Sequence, residues 1–526
     1  MLCLVGASLF IAPAARAGAA TIVVNETEDE NIGDNDCSLR EAVASANNNT
    51  SFDACTAGIG FDKIVVPAGI FPLHLGELHL GEDAVIEGAG KSKTVIQLDQ
   101  ARDPAPSHRI LSSDAQVAVV TDLTIAHGES GTFGGGIGHS TGQLFVRRVI
   151  LRDNEAAEGA AIWSSGTVQI EDSIIRNNSA TENGGGVYGS GIVGITRTTL
   201  SGNEAAEGGG LFIPTQTMAS VSRSTFSNNL ANGHGGGIRT VGASTLVLEN
   251  STLGGNTADA PSSNGGGLSN SGSAKIWSST ITGNTSRAAG SGVFSDGYAY
   301  SDITMNNSIV SDNTTISGAT QANCEINTIE PSSGYNLENG TTCDFTESTD
   351  LDAVDPKLAP LGSYGGPTKT HALKPTSPAV DGGTVEEAGP GGGCRATDQR
   401  GVDRPQDGPD PNTQARCDVG AFELRVVSHE RVVSFDLSRH LRVAGRVSVP
   451  DGFNACRKNV RVLIQRDKRN GWETVADPRT NRRGRYSSSL PDDTGRYRAH
   501  IGRGKVIKGD LHKCLPQTSE AARHRH

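Results

Sequence analysis

The sequence predicts an all-β protein: a right-handed parallel β-helix with an N-terminal capping helix and a C-terminal β-sandwich. Asparagines recur every 24 to 29 residues, apolar residues precede each at fixed distances, and a glycine-rich step into another apolar residue follows. One such segment cannot bury its apolar stripe alone, but stacked segments can, and parallel crossovers are almost always right-handed. The recurring asparagines are Asn154, Asn178, Asn203, Asn229, Asn256, Asn284 and Asn313.

The apolar positions define the strands of one coil. Residues ten and eight positions before each asparagine are apolar, as Leu144 and Val146 are before Asn154, and this alternation predicts a strand. A third apolar residue stands three positions before the asparagine. The step between it and the apolar residue at eight positions is odd, which breaks the alternation of inward and outward side chains and predicts a bend between two short strands. The glycine turn then predicts a third strand in each coil, beginning in turn at Ile137, Ile162, Val187, Leu211, Ile238, Leu268 and Val293.

In stacked coils the asparagines form a ladder in which each side-chain amide is expected to bond the next along the axis. Asparagine also tolerates the left-handed backbone conformation that a sharp turn needs. Upstream, the less regular stretch from Ile64 to Ile125 holds apolar pairs such as Leu73/Leu75 and Val117/Val119. These pairs predict three or four further coils.

The segment SLREAVASAN, residues 38–47, predicts a helix that covers the first coil. Ser38 and Glu41 form an S-x-x-E capping box, which is typical of a helix N-terminus. An uncovered sheet end would template aggregation, and a helix with one apolar face can cover it. That apolar face consists of Leu39, Ala42, Val43 and Ala46.

The N-terminus predicts export. Residues 1–20 combine an apolar run with Ala15-Arg16-Ala17, which fits a signal peptide and its cleavage site. We therefore expect a secreted or cell-surface protein with disulfides. The sequence contains no CxxC motif, which argues against a zinc site. The eight cysteines beyond Cys3 lie in pairs that are close in sequence, and the expected disulfides are Cys37–Cys55, Cys324–Cys343, Cys394–Cys417 and Cys456–Cys514.

Charge divides the chain. From Arg425 onward there are 23 Lys and Arg against 10 Asp and Glu, which leaves 23 against 48 upstream. The basic end is suited to an anionic cell-envelope polymer or a phospholipid surface, with a solvated spacer as the alternative. Sparse aromatic residues and export argue against nucleic acid. No stretch after the signal predicts a membrane span, and we expect a monomer. The predicted divisions are 1–20 signal peptide, 21–58 cap region, 59–320 β-helix, 321–424 closing region and 425–526 basic β-sandwich.

Three motifs carry resemblances. CSLREAV at residues 37–43 resembles the CSLREA domain of exported bacterial proteins. Residues 336–423, with ATDQRGVDRPQ and RCDVGAFE, resemble the choice-of-anchor Q region of cell-surface proteins. Phe226-x-x-Asn229 before GGGI is similar to the repeats of polymorphic outer-membrane proteins, which are β-helical adhesins. These resemblances imply a surface β-helix that displays a binding face, by adhesion or by polysaccharide binding.

The alternative is a carbohydrate-active enzyme, a polysaccharide lyase or a glycoside hydrolase, because the pectate-lyase-like enzymes share this fold. The NTD, DD and RIK motifs of polygalacturonases do not occur between residues 100 and 320, and the catalytic residues, if any, stay unknown. No cofactor is expected, with one exception. Glu158, Glu182 and Glu207 each follow a ladder asparagine by four residues, and such stacked carboxylates are candidate Ca²⁺ ligands, with a solvated turn as the alternative.

Overall fold

The structure is a computed structural model that describes residues 19–102, 107–298, 300–318, 322–327, 331–385, 393–409, 414–438, 440–491 and 493–525. The described residues form two compact units. The first runs to Pro405 and includes Arg416–Glu423; the second contains the described part of 406–415 and the residues from Leu424 onward. The predicted signal peptide lies outside the described residues, except for positions 19 and 20.

The first unit is a right-handed parallel β-helix, as the repeats predict. Each regular coil contributes a strand to each of four parallel sheets, which the chain visits in the order A, B, D, C. Sheet A consists of Thr21–Val23, Asp62–Val66, Ala84–Gly88, Val117–Thr121, Gln143–Arg147, Thr167–Glu171, Ile192–Thr196, Met218–Ser222, Thr245–Glu249, Ser273–Trp277 and Asp302–Asn306. Sheet B consists of Gly69–Leu73, Thr94–Leu98, Thr124–Ala126, Ile150–Arg152, Ile174–Arg176, Thr199–Ser201, Thr225–Ser227, Thr252–Gly254, Thr280–Thr282, Ile309–Ser311 and Leu337–Glu338.

The other two sheets follow the asparagine and the glycine turn. Sheet C holds the predicted third strands: Leu78–Leu80, Leu111–Ser113, Ile137–His139, Ile162–Ser164, Val187–Gly189, Leu211–Ile213, Ile238–Thr240, Leu268–Asn270, Val293–Ser295 and Cys324–Ile326. Sheet D, which the repeat pattern does not predict, consists of Glu129–Phe133, Glu155–Glu158, Ser179–Ala180, Glu204–Ala205, Leu230–Ala231, Thr257–Ala258, Thr285–Ser286 and Thr314–Thr315. Most of its strands have two residues, because the chain turns again at the glycines.

The asparagine ladder is continuous. Asn229 illustrates a rung: its Oδ1 accepts from the backbone N and the Nδ2 of Asn203 at 3.1 and 2.9 Å, and its Nδ2 donates to Asn256 Oδ1 at 2.9 Å. The ladder runs past Asn313 to Asn323 and ends at Glu338 Oε1. The left-handed turn belongs to the residue before each rung, for example Asn228 with φ 54°. The expectation that the ladder asparagines themselves take this conformation is therefore wrong: none of them has a positive φ, and their side chains are buried.

A second ladder of hydroxyls lines the bend between sheets A and B. The backbone N–H of Thr198 donates to Ser224 Oγ at 3.1 Å, and that of Ser224 donates to Ser251 Oγ at 3.1 Å. The residue before each of these hydroxyls, such as Arg223 with φ 52°, is left-handed. This bend is the point at which the inward phase slips in the sequence.

The glycine step is a steric requirement. Gly235, the first of its triplet, has φ 72°, and a Cβ on it would lie 2.5 Å from the carbonyl oxygen of Ile238. A left-handed residue this close to the next strand can only be glycine without strain. The glycines therefore form a corner of the coil and not a ligand-binding loop.

The capping helix and the first coils complete the unit. The helix spans Leu39–Asn48, and Ser38 and Glu41 form the predicted capping box. The predicted apolar face of the helix is buried. Three coils precede the regular repeats, within the predicted three or four. Among the apolar pairs that predict them, Leu75 is 52% exposed, whereas Val119 is buried together with Ala118 and Val120.

A return segment, residues 359–385, 393–405 and 416–423, lies along the outer face of sheet B. Gln399 Nε2 donates to Thr225 Oγ1 at 3.0 Å, and Gln399 Oε1 accepts from Thr252 Oγ1 at 2.6 Å. Farther along, Thr280 Oγ1 accepts from the backbone N of Ala421 at 3.0 Å. This part of the predicted closing region therefore covers one side of the coils.

Buried charge holds the return segment together. Arg404 Nε lies 3.5 Å from Glu423 Oε2, and Arg400 Nε lies 2.8 Å from Asp398 Oδ2, with all four side chains at most 1% exposed. Arg404 also donates to the carbonyls of Asp418 and Gly420. These residues come from the DQRGVDR and CDVGAFE stretches, so the motifs form a buried ionic network.

The second unit contains three sheets. The first consists of Val426–His429, Asp510–Cys514 and Gly504–Lys508; the second of Val432–Val433, Asp436–Leu437, Arg442–Ser448 and Arg485–Ser489; the third of Leu463–Lys468, Gly471–Ala476, Gly495–Ile501, Gln517–Thr518 and Ala522–His524. The second and third sheets share a core that includes Val443, Ile464, Tyr486 and Tyr497, as a β-sandwich does. A 3₁₀ turn spans Asn454–Arg457.

Candidate functional site

The four cysteine pairs of the structure are those that sequence proximity predicts. Disulfides join Cys37–Cys55, Cys324–Cys343, Cys394–Cys417 and Cys456–Cys514. Among the described residues, no helix has the length and hydropathy of a membrane span.

The predicted calcium ligands do not come together. Asn183 stands in register with Glu207, and its Nδ2 donates to Glu158 Oε1 at 3.2 Å. Glu182 is therefore one residue out of this row, because its coil has one more residue between the ladder asparagine and the glycine turn. In the described part of the chain, carboxylates that converge closely enough for a metal lie in the cap region, at Glu30, Asp34 and Asp36 and at Asp36, Glu41 and Asp53.

A row of aromatic side chains crosses the outer face of sheet C. Each three-residue strand points its first and third residues inward and its middle residue outward. The middle residues of three successive strands are Trp163, Tyr188 and Phe212. Phe133, at the end of a sheet D strand, extends the row and is 40% exposed. We call these four residues the aromatic row.

The four rings form one stack along the helix axis. Ring centroids are 4.8 Å apart between Phe133 and Trp163, 6.2 Å between Trp163 and Tyr188, and 5.4 Å between Tyr188 and Phe212. The angles between neighbouring ring planes are 24°, 12° and 12°. The chain has only 23 aromatic residues among 526, so four in one outer stack form a concentrated apolar strip. Phe133 at one end is 40% exposed, whereas Phe212 at the other end is only 7% exposed.

Arginine–glutamate pairs stand at both ends of the aromatic row. Arg239 follows Phe212 in register; its Nε lies 3.4 Å from Glu207 Oε2 and its Nη1 donates to Ser269 Oγ at 2.9 Å. At the other end Arg109 lies over Gly138, and its Nε is 2.8 Å from Glu77 Oε2. The row is thus an apolar strip with polar ends.

Polar groups also border the row along the corner between sheets D and C. Glu158 is in register with Phe133 and accepts from Asn183. Burial, and to a lesser extent the Glu158 carboxylate, raises the pKa of Tyr188, so its hydroxyl stays protonated and can donate a hydrogen bond. Burial, with Arg239, lowers the pKa of His234, and its Nδ1 accepts from the backbone N of Asn264 at 3.2 Å. The border therefore offers both donors and acceptors.

The inward repeat pattern does not reveal the aromatic row, although the sequence contains a signal for it. Each glycine step ends at an apolar residue, and the residue directly after it points outward. In successive coils this outward residue is Gly138, Trp163, Tyr188, Phe212, Arg239, Ser269 and Phe294. Aligning the coils at this position shows three consecutive aromatic residues on the outward face. The inward positions carry no such signal, because they are apolar in every coil.

Comparison with protein-family models agrees with the fold. The family model described as "Right handed beta helix region" matches residues 158–349, a little over a third of the chain. Among solved structures, the crystal structure of pectate lyase Pel9A is similar over 77% of this chain and 96% of that chain, with 12% sequence identity and a TM-score of 0.40. No curated protein matches.

Proposed function

We propose that this protein is an exported, surface-displayed β-helix that binds a neutral polysaccharide along the aromatic row and does not cleave it. The observation that carries the proposal is the stack of Phe133, Trp163, Tyr188 and Phe212. Neighbouring rings in this stack cover one another's faces, so the row presents ring edges to solvent. The C–H groups of sugar rings can pack against such an apolar strip, while the sugar hydroxyls need donors and acceptors at its border. An apolar strip bordered by convergent polar groups meets both needs.

Charge favours a neutral polymer over an acidic one at this face. Glu158 and Glu207 border the row, and the chain upstream of Arg425 has 25 more acidic than basic residues. A polyuronate would meet repulsion from these carboxylates, which salt would screen only in part. Hydroxyl groups of a neutral glycan would accept from Arg239 and Tyr188 and donate to the carboxylates.

Export and display are supported by other features of the chain. The four disulfides suit an oxidising compartment, and the CSLREA and choice-of-anchor resemblances concern exported proteins. The basic C-terminal unit is the part of the chain suited to an anionic cell-envelope polymer. Binding and display accordingly belong to different units in this proposal.

The test measures polysaccharide affinity by retardation in native gels that contain neutral or acidic glycans. We expect Trp163→Ala/Tyr188→Ala to weaken neutral-glycan binding by about 2 kcal/mol or more, as removal of central aromatic anchors does, which is about 30-fold in Kd. Phe294→Ala is the matched control, because Phe294 is also a middle residue of sheet C but lies outside the stack. Equal binding by the double variant and the parent protein would refute the proposal.

The enzyme alternative is tested on the same glycan panel. Hydrolysis would produce new reducing ends, and a lyase would produce unsaturated uronates. We expect neither product from the full-length protein. Product formation that depends on the carboxylates beside the aromatic row would establish a glycoside hydrolase or polysaccharide lyase in place of a binding protein.

A further inference from the structure

The C-terminal unit contains a pocket of about 410 Å³ with a strongly basic lining. It lies beside the Cys456–Cys514 disulfide, and Val460, Leu463 and Val506 provide an apolar part of its wall. The pocket is formed within the second unit and is separate from the aromatic row. Five cationic side chains line it: Arg431, Lys458, Arg461, Arg503 and Lys505.

Arg431 is a buried cation whose hydrogen-bond partners are uncharged. It is 3% exposed, and its Nε donates to the carbonyl of Leu515 at 2.7 Å while its Nη2 donates to the carbonyls of Gly502 and Cys514. Its Nη1 has no hydrogen-bond partner among the described residues. Burial lowers the pKa of Arg431. The carbonyls accept from Nε and Nη2 but do not neutralise the positive charge of Arg431, so an anion bound nearby would stabilise it.

The other cations add further positive charge around the pocket. Arg461 is paired with Asp477, at 2.5 Å between Nη2 and Oδ2. Lys458, Arg503 and Lys505 are exposed and form no ion pair with any residue that the structure describes. Together with Arg431, four positive charges around one pocket lack a carboxylate partner. A single carboxylate would leave most of that charge uncompensated.

We propose that this pocket binds a phosphate or sulfate ester group. A doubly charged tetrahedral oxyanion has enough acceptors to bond several guanidinium and ammonium groups at once, and charge-assisted bonds of this kind are strong. The group could be a free ion or could be carried on a sugar. The inference does not depend on polysaccharide binding by the β-helix, because it concerns the other unit.

The experiment is calorimetric titration of the full-length protein at low salt with inorganic phosphate, glucose 6-phosphate and, as the uncharged control, glucose. We expect both phosphates to bind and glucose to give no binding to this pocket. Tighter binding of the sugar phosphate indicates an ester ligand, and equal binding indicates that the free ion suffices; both support the site. Absence of binding by both phosphates overturns the proposal.

Variants locate the site. Lys458→Gln and Lys505→Gln should each lower phosphate affinity at least about fivefold, since each removes a charged hydrogen-bond donor. Lys508→Gln is the matched control: it makes the same charge change on the strand of Lys505, at an exposed position outside the pocket. Equal loss of affinity in Lys505→Gln and Lys508→Gln would show a general charge effect and overturn the assignment. Arg431 is left intact because its side chain also bonds three backbone carbonyls.

Discussion

Replacement of one rung of the asparagine ladder should destabilise the whole β-helix. In Asn229→Ala, the backbone N–H of Asn203 loses its hydrogen-bond acceptor in a buried site. The variant also removes the bonds that Asn229 makes to Asn203 Nδ2, Asn256 Oδ1 and the carbonyl of Leu200. Asn203 Nδ2 retains the carbonyl of Ile175, so the largest single loss is the orphaned N–H.

The magnitude follows from these groups. An orphaned buried donor costs about 1–3 kcal/mol, and each other lost bond adds roughly 1 kcal/mol or less after relaxation. We therefore expect about 3–5 kcal/mol of destabilisation. For a unit of this length the unfolding entropy is roughly 0.8 kcal/mol/K, so the melting temperature should fall by about 4–6 °C.

Thermal unfolding followed by circular dichroism measures the shift, and hydrogen exchange should show faster exchange in the peptide that contains Asn203. Asn228→Gly is the matched control, since the neighbouring residue is exposed and glycine accepts its φ of 54°. A shift below about 1 °C in Asn229→Ala, or an equal shift in the control, would refute the view that the ladder stabilises the coils.

Three further predictions concern other parts of the first unit. Gly235→Ala should lower stability by about 1–3 kcal/mol through backbone strain, measured by denaturant unfolding, whereas Gly131→Ala, where a Cβ meets nothing within 4 Å, should change it little. Arg404→Met should lower the free energy of unfolding by about 3–5 kcal/mol, because Glu423 stays buried without the Arg404 guanidinium. Arg404→Met/Glu423→Leu should recover part of this stability in a double-mutant cycle. Equal destabilisation in the single and double variants would contradict a stabilising ion pair. Burial lowers the pKa of His139, so the folded state favours the neutral ring. The contribution of the neutral ring to stability is present above the unfolded pKa of about 6.5 and is lost as pH falls below it. In His139→Ser, the melting temperature should therefore depend less on pH between pH 8 and 5.

Local repetition explains what the sequence could predict. The inward residues of sheets A and B recur at fixed distances before each ladder asparagine, and the strands of sheet C begin directly after each glycine step. The sequence of each coil therefore predicts its own buried residues. Sheet D has no comparable signal, because a strand such as Leu230–Ala231 is too short to show alternation. The pattern locates the turn near each asparagine but does not say which residue is left-handed.

Long-range contacts lie beyond a local pattern, whereas a change of register can be read from the spacing within one coil. One extra residue between Asn178 and Gly184 moves Glu182 out of the row of Glu158 and Glu207, and the calcium hypothesis depended on that row. Gln399 contacts Thr225 and Thr252 across more than 140 residues, which no periodicity predicts. The aromatic row becomes visible only when the outward positions of neighbouring coils are compared.

The most direct test of the central claim is the fluorescence of Trp163. The protein has three tryptophans, and Trp277→Phe/Trp472→Phe leaves Trp163, in the aromatic row, as the reporter. Titration with a neutral polysaccharide that the protein binds should shift its emission to shorter wavelengths, because sugar rings exclude water from the indole, and Tyr188→Ala should weaken the response. Saturating binding with unchanged Trp163 emission would show that the glycan binds elsewhere and would contradict the account.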